Sequence, residues 1–189
     1  NILLDMTKGI QNLHETMELC KEAFIEVMKR GPLADERVMG VKVKLMDAKL
    51  HEDTIHRGPA QAIPAMRQAI YGAMCLSGRT LLEPKQKVQI NVPQEVMGAA
   101  TREMQQRRSV IEDMEQEGDM VIIKAKAPVA QMFGFSNSMR GATGGRALWN
   151  TENCGFEMIP RELLKEVVAS IRTRKGLKPE PYDANYYSG

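Results

Sequence analysis

Aromatic residues are scarce, with phenylalanine, tyrosine and tryptophan together making up 5% of the chain. A core so poor in rings must be filled by Met, Leu, Ile, Val and Ala, and the 14 methionines suit that role as flexible gap-fillers. Cysteine is scarcer still. Cys20, Cys75 and Cys154 are odd in number, far apart and include no Cys-x-x-Cys pair. That excludes a disulfide framework and a zinc knuckle, and leaves reduced thiols in a cytosolic protein as the simplest reading. No apolar run approaches a membrane span and there is no signal peptide, so no membrane partner is expected. Neither sign of charge dominates: 26 Lys and Arg stand against 24 Asp and Glu, for a net charge of +2. Whole-chain electrostatics therefore do not demand nucleic acid, and any such partner must be argued from local clustering. The phosphate loop G-x-x-x-x-G-K-[ST], the dinucleotide fingerprint G-x-G-x-x-G and the nucleophile elbow G-x-S-x-G are all missing. The Gly-rich run Gly141–Gly145 lacks the lysine and precedes a strand, so it reads as a turn.

What is present is periodic. Ile10, Leu13, Met17, Cys20, Phe24 and Val27 fall on one helical stripe, with Asn12 and Glu15 resembling a capping box and Gly31-Pro32 ending the helix. Val41, Val43 and Leu45 alternate with Lys42 and Lys44, which predicts a strand with one buried and one basic face, running on to Leu50. Ile63, Met66, Ile70 and Met74 form a second helical stripe that closes near Gly78. Beyond Leu82 the order changes. The strand at Val88–Val92, the helix through Val96, Ala100 and Met104, and the strand at Val110–Met114 are followed by a turn at Gln116–Asp119. A strand at Val121–Lys126, a broken helix from Val129 to Met139 and a strand at Arg146–Asn150 complete the series. This βαββαβ order is the ferredoxin-like arrangement, and it predicts an antiparallel four-stranded sheet with both helices on one face. A last helix carries Leu164, Val167, Val168 and Ile171, starts at Pro160, places Arg172, Arg174 and Lys175 in its final turn and stops at Gly176.

Between the second strand and the second helix lies His51-Glu52-Asp53-Thr54-Ile55-His56-Arg57-Gly58, which holds two of the three histidines. It mimics the zinc-protease signature H-E-x-x-H with the second His one residue late. Five residues at about 100° each would turn the two rings roughly 140° apart on a regular helix, so they could not share a metal from one. Gly58 and Pro59 make the stretch a loop at the tip of a strand–loop–helix unit, a common way to present a functional group. A His51, Asp53 and His56 metal centre in a small metal-dependent enzyme is one alternative, although two histidines on a loop with no nearby cysteine form a weak ligand set. A stand-alone RNA-binding module is another, because Lys42, Lys44 and Lys49 lead to His56 and Arg57 and could track a phosphate backbone.

Longer stretches carry a resemblance. LHEDTIHRGPAQAIPAMRQAIYGAMCLSGRTLLEP resembles the tip of the fourth domain of elongation factor two, the ribosomal translocase of archaea and eukaryotes, and GPLADERVMGVKVKLMDAKLHEDTIHRG resembles the approach to it. EVMGAATREMQQRRSVIEDMEQEGDMVIIKAKAPVAQMFGFSNSMRGATGGRA is similar to the fifth domain of that family and of its bacterial relative, elongation factor G, and IRTRKGLKP resembles the family's C-terminal end. Gly58-Pro59-Ala60, where eukaryotic members carry a run of Gly, resembles the archaeal branch.

The resemblance implies an α+β chain of two domains: a partial ribosomal-protein-S5-like domain four over 1–81, a ferredoxin-like domain five over 82–159, and a C-terminal helix and tail over 160–189 packing back on domain four. It implies that His56 is the residue converted to diphthamide, that the loop residues His51, Asp53, His56, Arg57 and Gly58 contact RNA, and that His51 is a supporting residue. The implied partners are the ribosome, through its RNA, tRNA, mRNA and stalk-base proteins, and the diphthamide-synthesis enzymes, in the cytoplasm. No cofactor is expected in this chain, because GTP and Mg belong to an N-terminal GTPase domain that it lacks. The abrupt start at Asn1 reads as the edge of a fragment. The resemblance also implies that the strand at Val41–Leu45, whose partners the family supplies upstream of Asn1, offers an open edge, and the residues predict that Ile55, the one apolar residue of the loop, pins it to the body.

Overall fold

The stripe of three- and four-residue steps becomes α1, Leu13–Lys29, in a computed structural model that describes residues 1–188. Its start is not the expected capping box. Asn12 sits in the left-handed region at φ 63° and its side chain caps nothing, so Glu15 is free for another role. Two compact units make up the chain, Asn1–Leu81 with Pro160–Gly189 and Leu82–Ile159.

In the first unit β2, Lys42–Leu45, is not unpartnered as expected. It pairs in parallel with β1, Ile2–Asp5, a strand the periodicity did not announce, with Leu3 opposite Val43 and Asp5 opposite Leu45. Four residues with no polar alternation give too short a pattern to recognise, and the Asn1 side chain fixes the pairing by bonding Val38 O and Val41 N. β2 also ends at Leu45, five residues before the expected Leu50. The second stripe becomes α2, Pro59–Leu76, with Pro59 at its first turn, where a missing N–H costs nothing. The helix thus begins four residues before Ile63. Cys20, Ala23 and Val27 of α1 meet Met66 and Ile70 of α2, and Leu3, Val43 and Leu45 pack on that cluster.

The last helix, α5, Arg161–Arg174, belongs to the same unit. Its Arg172 is not simply a solvated cation at the helix end. It is 5% exposed and donates from Nε to Lys178 O and from Nη1 to Leu33 O, while Lys175 Nζ donates to Ala34 O and pairs with Glu36. The tail beyond it returns to α2, where Arg79 holds Tyr182 O at 2.6 Å and the Tyr187 ring lies 5.3 Å from that of Tyr71.

The second unit has the expected order: β3 Leu82–Pro93, α3 Met97–Gln105, β4 Val110–Glu117, β5 Met120–Pro128, α4 Phe135–Thr143 and β6 Leu148–Met158. The sheet runs β4-β5-β3-β6 with every neighbour antiparallel. Val88, Ile90 and Val92 of β3 and Val121, Ile123, Ala125 and Ala127 of β5 point to one face, against Ala100 and Met104 of α3 and Phe135 and Met139 of α4. The other face is charged: Lys124 bridges Asp113 and Glu115, and Lys126 lies 2.6 Å from Glu157. The strands outrun the sequence reading, β6 ending at Met158, eight residues beyond Asn150, because exposed polar edges hide strand ends. Of the Gly-rich run, Gly141 to Thr143 finish α4, and Gly144 and Gly145 make the left-handed turn that leaves it. Among the described residues no helix is long and apolar enough to cross a membrane.

Candidate functional site: the loop between β2 and α2

The chain leaves β2 at Leu45 and enters α2 at Pro59, so thirteen positions from Met46 to Gly58 make the connection. Short-range hydrogen bonds shape its far half. Asp53 N–H donates to His51 Nδ1 at 3.1 Å, and Asp53 Oδ1 accepts from Ile55 N–H at 3.0 Å. The second bond caps a single 3-10 turn, Thr54–Arg57, after which Gly58 serves as the N-cap of α2. Because Nδ1 of His51 accepts, a neutral His51 carries its proton on Nε2.

The turn decides which side chains face outward. His51, Asp53 and His56 are exposed. The His51 and His56 rings meet edge to face, centroids 4.5 Å apart at 62°. Five-residue spacing would separate them on a regular helix, but a reversed chain followed by a three-residue turn brings them together. Ile55 is not the anchor expected from its apolarity: it is 75% exposed. The inward position belongs to Arg57, at 7% exposure. Its Nη1 donates to the carbonyls of His51 and Glu52, each at 2.9 Å, and its Nη2 donates to Glu15 Oε2 of α1 at 2.8 Å. Its Nε is buried with no protein partner.

Thus the structure brings His51, Asp53 and His56 together on the outside and separates Arg57 from them. It also adds Glu15, 42 positions upstream, which sequence reasoning had spent on a helix cap. An acidic residue in a first turn looks like a cap from sequence, and only the fold shows the guanidinium that claims it. His51 Nδ1 and Asp53 Oδ1 are engaged in shaping the loop, and no group of three or more His, Cys, Asp or Glu placed to hold a metal occurs among the described residues. The metal-dependent alternative is therefore not supported. Lys42 and Lys44 keep their side chains on the exposed face of β2, and Lys49 is exposed on the approach to the loop.

Comparison with known proteins bears on both units. A family model described as Elongation factor G, domain IV matches residues 1–78, and one described as Elongation factor G C-terminus matches residues 80–176. Proteins named Elongation factor 2 from Picrophilus torridus and Thermoplasma acidophilum are each 64% identical over 188 residues, taking in 100% of this chain and 26% of the relative. The protein of that name from Methanopyrus kandleri is 58% identical over 181 residues, 96% of this chain and 14% of its own length. A crystal structure of a Thermus thermophilus protein matches with a TM-score of 0.71 at 27% identity, covering 91% of this chain and 26% of that one. The chain thus spans 26% of the length of the first two of these relatives. With both family models matched and together reaching from residue 1 to residue 176, the chain belongs to the elongation factor G family.

Proposed function

We propose that this chain is the probing end of a translation elongation factor that drives GTP-dependent movement of tRNA and mRNA through the ribosome. In this reading residues 1–81 are domain four, 82–159 are domain five, and 160–189 return to domain four. GTP and Mg are bound by a GTPase domain outside this sequence, and the protein works in the cytoplasm. His56 is the residue modified to diphthamide by the diphthamide-synthesis enzymes. The loop that carries His51, Asp53, His56, Arg57 and Gly58 meets RNA at the decoding centre, while domain five faces ribosomal RNA and the stalk-base proteins.

One observation carries the reading: a hydrogen-bonded loop in a domain IV match places His56 outward, beside an exposed second imidazole and downstream of Lys42, Lys44 and Lys49. An exposed imidazole pair at the end of a basic strand face can touch phosphate and ribose without reading base sequence. Arg57 serves that loop from beneath, since its guanidinium is occupied by protein acceptors. To test the reading, the matching 26% of the Picrophilus torridus relative is replaced with this chain and translocation is measured on archaeal ribosomes. The chimera is expected to translocate at a rate near that of the parent. A folded chimera that binds GTP yet leaves tRNA and mRNA unmoved would contradict it.

A further inference from the structure

One side chain, Arg57, ties the tip loop to α1. Arg57 reaches back to two consecutive carbonyls, His51 and Glu52, and so sets where the backbone carrying the His51 ring lies. That ring in turn packs on His56 at 4.5 Å. Among the described residues, the hydrogen-bond partner that holds Arg57 from outside the loop is Glu15 Oε2, on the first turn of α1. Asn12 leaves Glu15 free for this contact by entering α1 without a side-chain cap. Arg57 Nε has no protein acceptor, so the two Nη atoms carry the whole attachment.

From this chain of contacts we infer that Glu15 is a positioning residue for the tip: through Arg57 it fixes the mutual orientation of the His51 and His56 rings. The inference rests on the functional reading above only for its consequence at the ribosome. Its structural half concerns this chain alone. Nη2 of Arg57 makes one charge-assisted hydrogen bond to Glu15 Oε2 while Nη1 spans two carbonyls, so the planar guanidinium ties together three acceptors that an ammonium cannot hold in the same geometry. The guanidinium is thereby withdrawn from RNA, so its contribution at the ribosome is geometric.

Two measurements test this. In the 189-residue chain, nuclear Overhauser contacts between the ring protons of His51 and His56 are expected in the wild type. They should be lost, with a shift of the His56 ring resonances, in Glu15→Ala and in Arg57→Lys, while circular dichroism and the dispersed core methyl signals stay unchanged. Glu15 is half-exposed on α1 and Ala is a strong helix former, so that variant keeps the fold even where Arg57→Lys does not. Ring contacts that persist in folded Glu15→Ala overturn the inference. In the chimera, Lys49→Ala is expected to flatten the slope of log affinity for the ribosome against log salt by about 0.7 to 0.9, the mark of one lost phosphate contact. Glu15→Ala and Arg57→Gln should each weaken binding several-fold with the slope unchanged. A slope flattened by Arg57→Gln would place the guanidinium on a phosphate and overturn the inference. A wild-type chimera that does not bind at all defeats the functional reading instead, and the ring contacts still decide the role of Glu15.

Discussion

At the scale of single residues, charge and hydrophobicity exchange their usual places in the tip loop. Ile55 lies outside and Arg57 inside, because the loop has no apolar pocket to offer Ile55 but does have three acceptors that need a donor. Composition could locate the loop and its two histidines. It could not rank Ile55 against Arg57, since the deciding partner, Glu15, is remote in sequence. Removing Arg57 leaves two main-chain carbonyls and a carboxylate without their donor, so Arg57→Ala is expected to lower stability by about 2 kcal/mol. Ile55→Ala should change it by less than about 0.5 kcal/mol. Urea denaturation of the two variants checks both values. Glu83 offers a pH-dependent counterpart in the other unit. Burial alone would push its carboxyl up, but hydrogen bonds and charge from Arg108 and Lys85 outweigh burial and hold it below the ordinary 4.5. A carboxylate lowered in the folded state stabilises above its unfolded value and loses that contribution as pH falls through the folded one. Glu83→Gln should therefore destabilise by about 1.5 to 3 kcal/mol near neutrality, with the gap to wild type narrowing as pH falls below the ordinary 4.5 in paired denaturation curves.

At the scale of elements, period was a better guide than ends. The stripes of α1, α2 and α5 and the alternation of β3 and β5 were legible because each has a buried face long enough to repeat. β1 was not legible, because four residues repeat nothing, and its pairing depends on a side chain, Asn1, that no pattern flags. The capping box at Asn12 and Glu15 failed because the left-handed backbone at Asn12 turns its side chain away from the helix amides. The β4–β5 hairpin shows turn chemistry that could be read in advance. Glu117 pairs with Met120, so the turn has two residues, and only the first, Gly118, has positive φ, at 61°. Gly-X is the expected pair for such a turn. Gly118→Ala meets open space but a strained backbone. It should cost about 1 kcal/mol, and Asp119→Ala less, by thermal unfolding of the isolated hairpin-bearing unit.

At the scale of the whole molecule, the two units differ in how the chain builds them. Residues 82–159 are contiguous and enclose their own apolar cluster, and so should fold alone when expressed alone. Residues 1–81 depend on sequence from the other end, since Arg172 and Lys175 satisfy carbonyls at Leu33 and Ala34. A chain ending at Ile159 should keep the unfolding transition of the second unit and lose or broaden that of the first in calorimetry, whereas two unchanged transitions would count against this dependence. The same interleaving explains why a domain IV match ends at residue 78 although the unit it describes does not. The central claim, that the loop bearing His56 is the part that meets RNA, is tested most directly by placing a photo-crosslinking amino acid at position 55, exposed beside His56, in the chimeric factor and irradiating it on the ribosome. The account predicts crosslinks to RNA at the decoding centre that fall away with salt and are absent from a matched probe at Phe133 in the second unit. Position 55 crosslinking to protein alone, or Phe133 marking the decoding centre in its place, would contradict it.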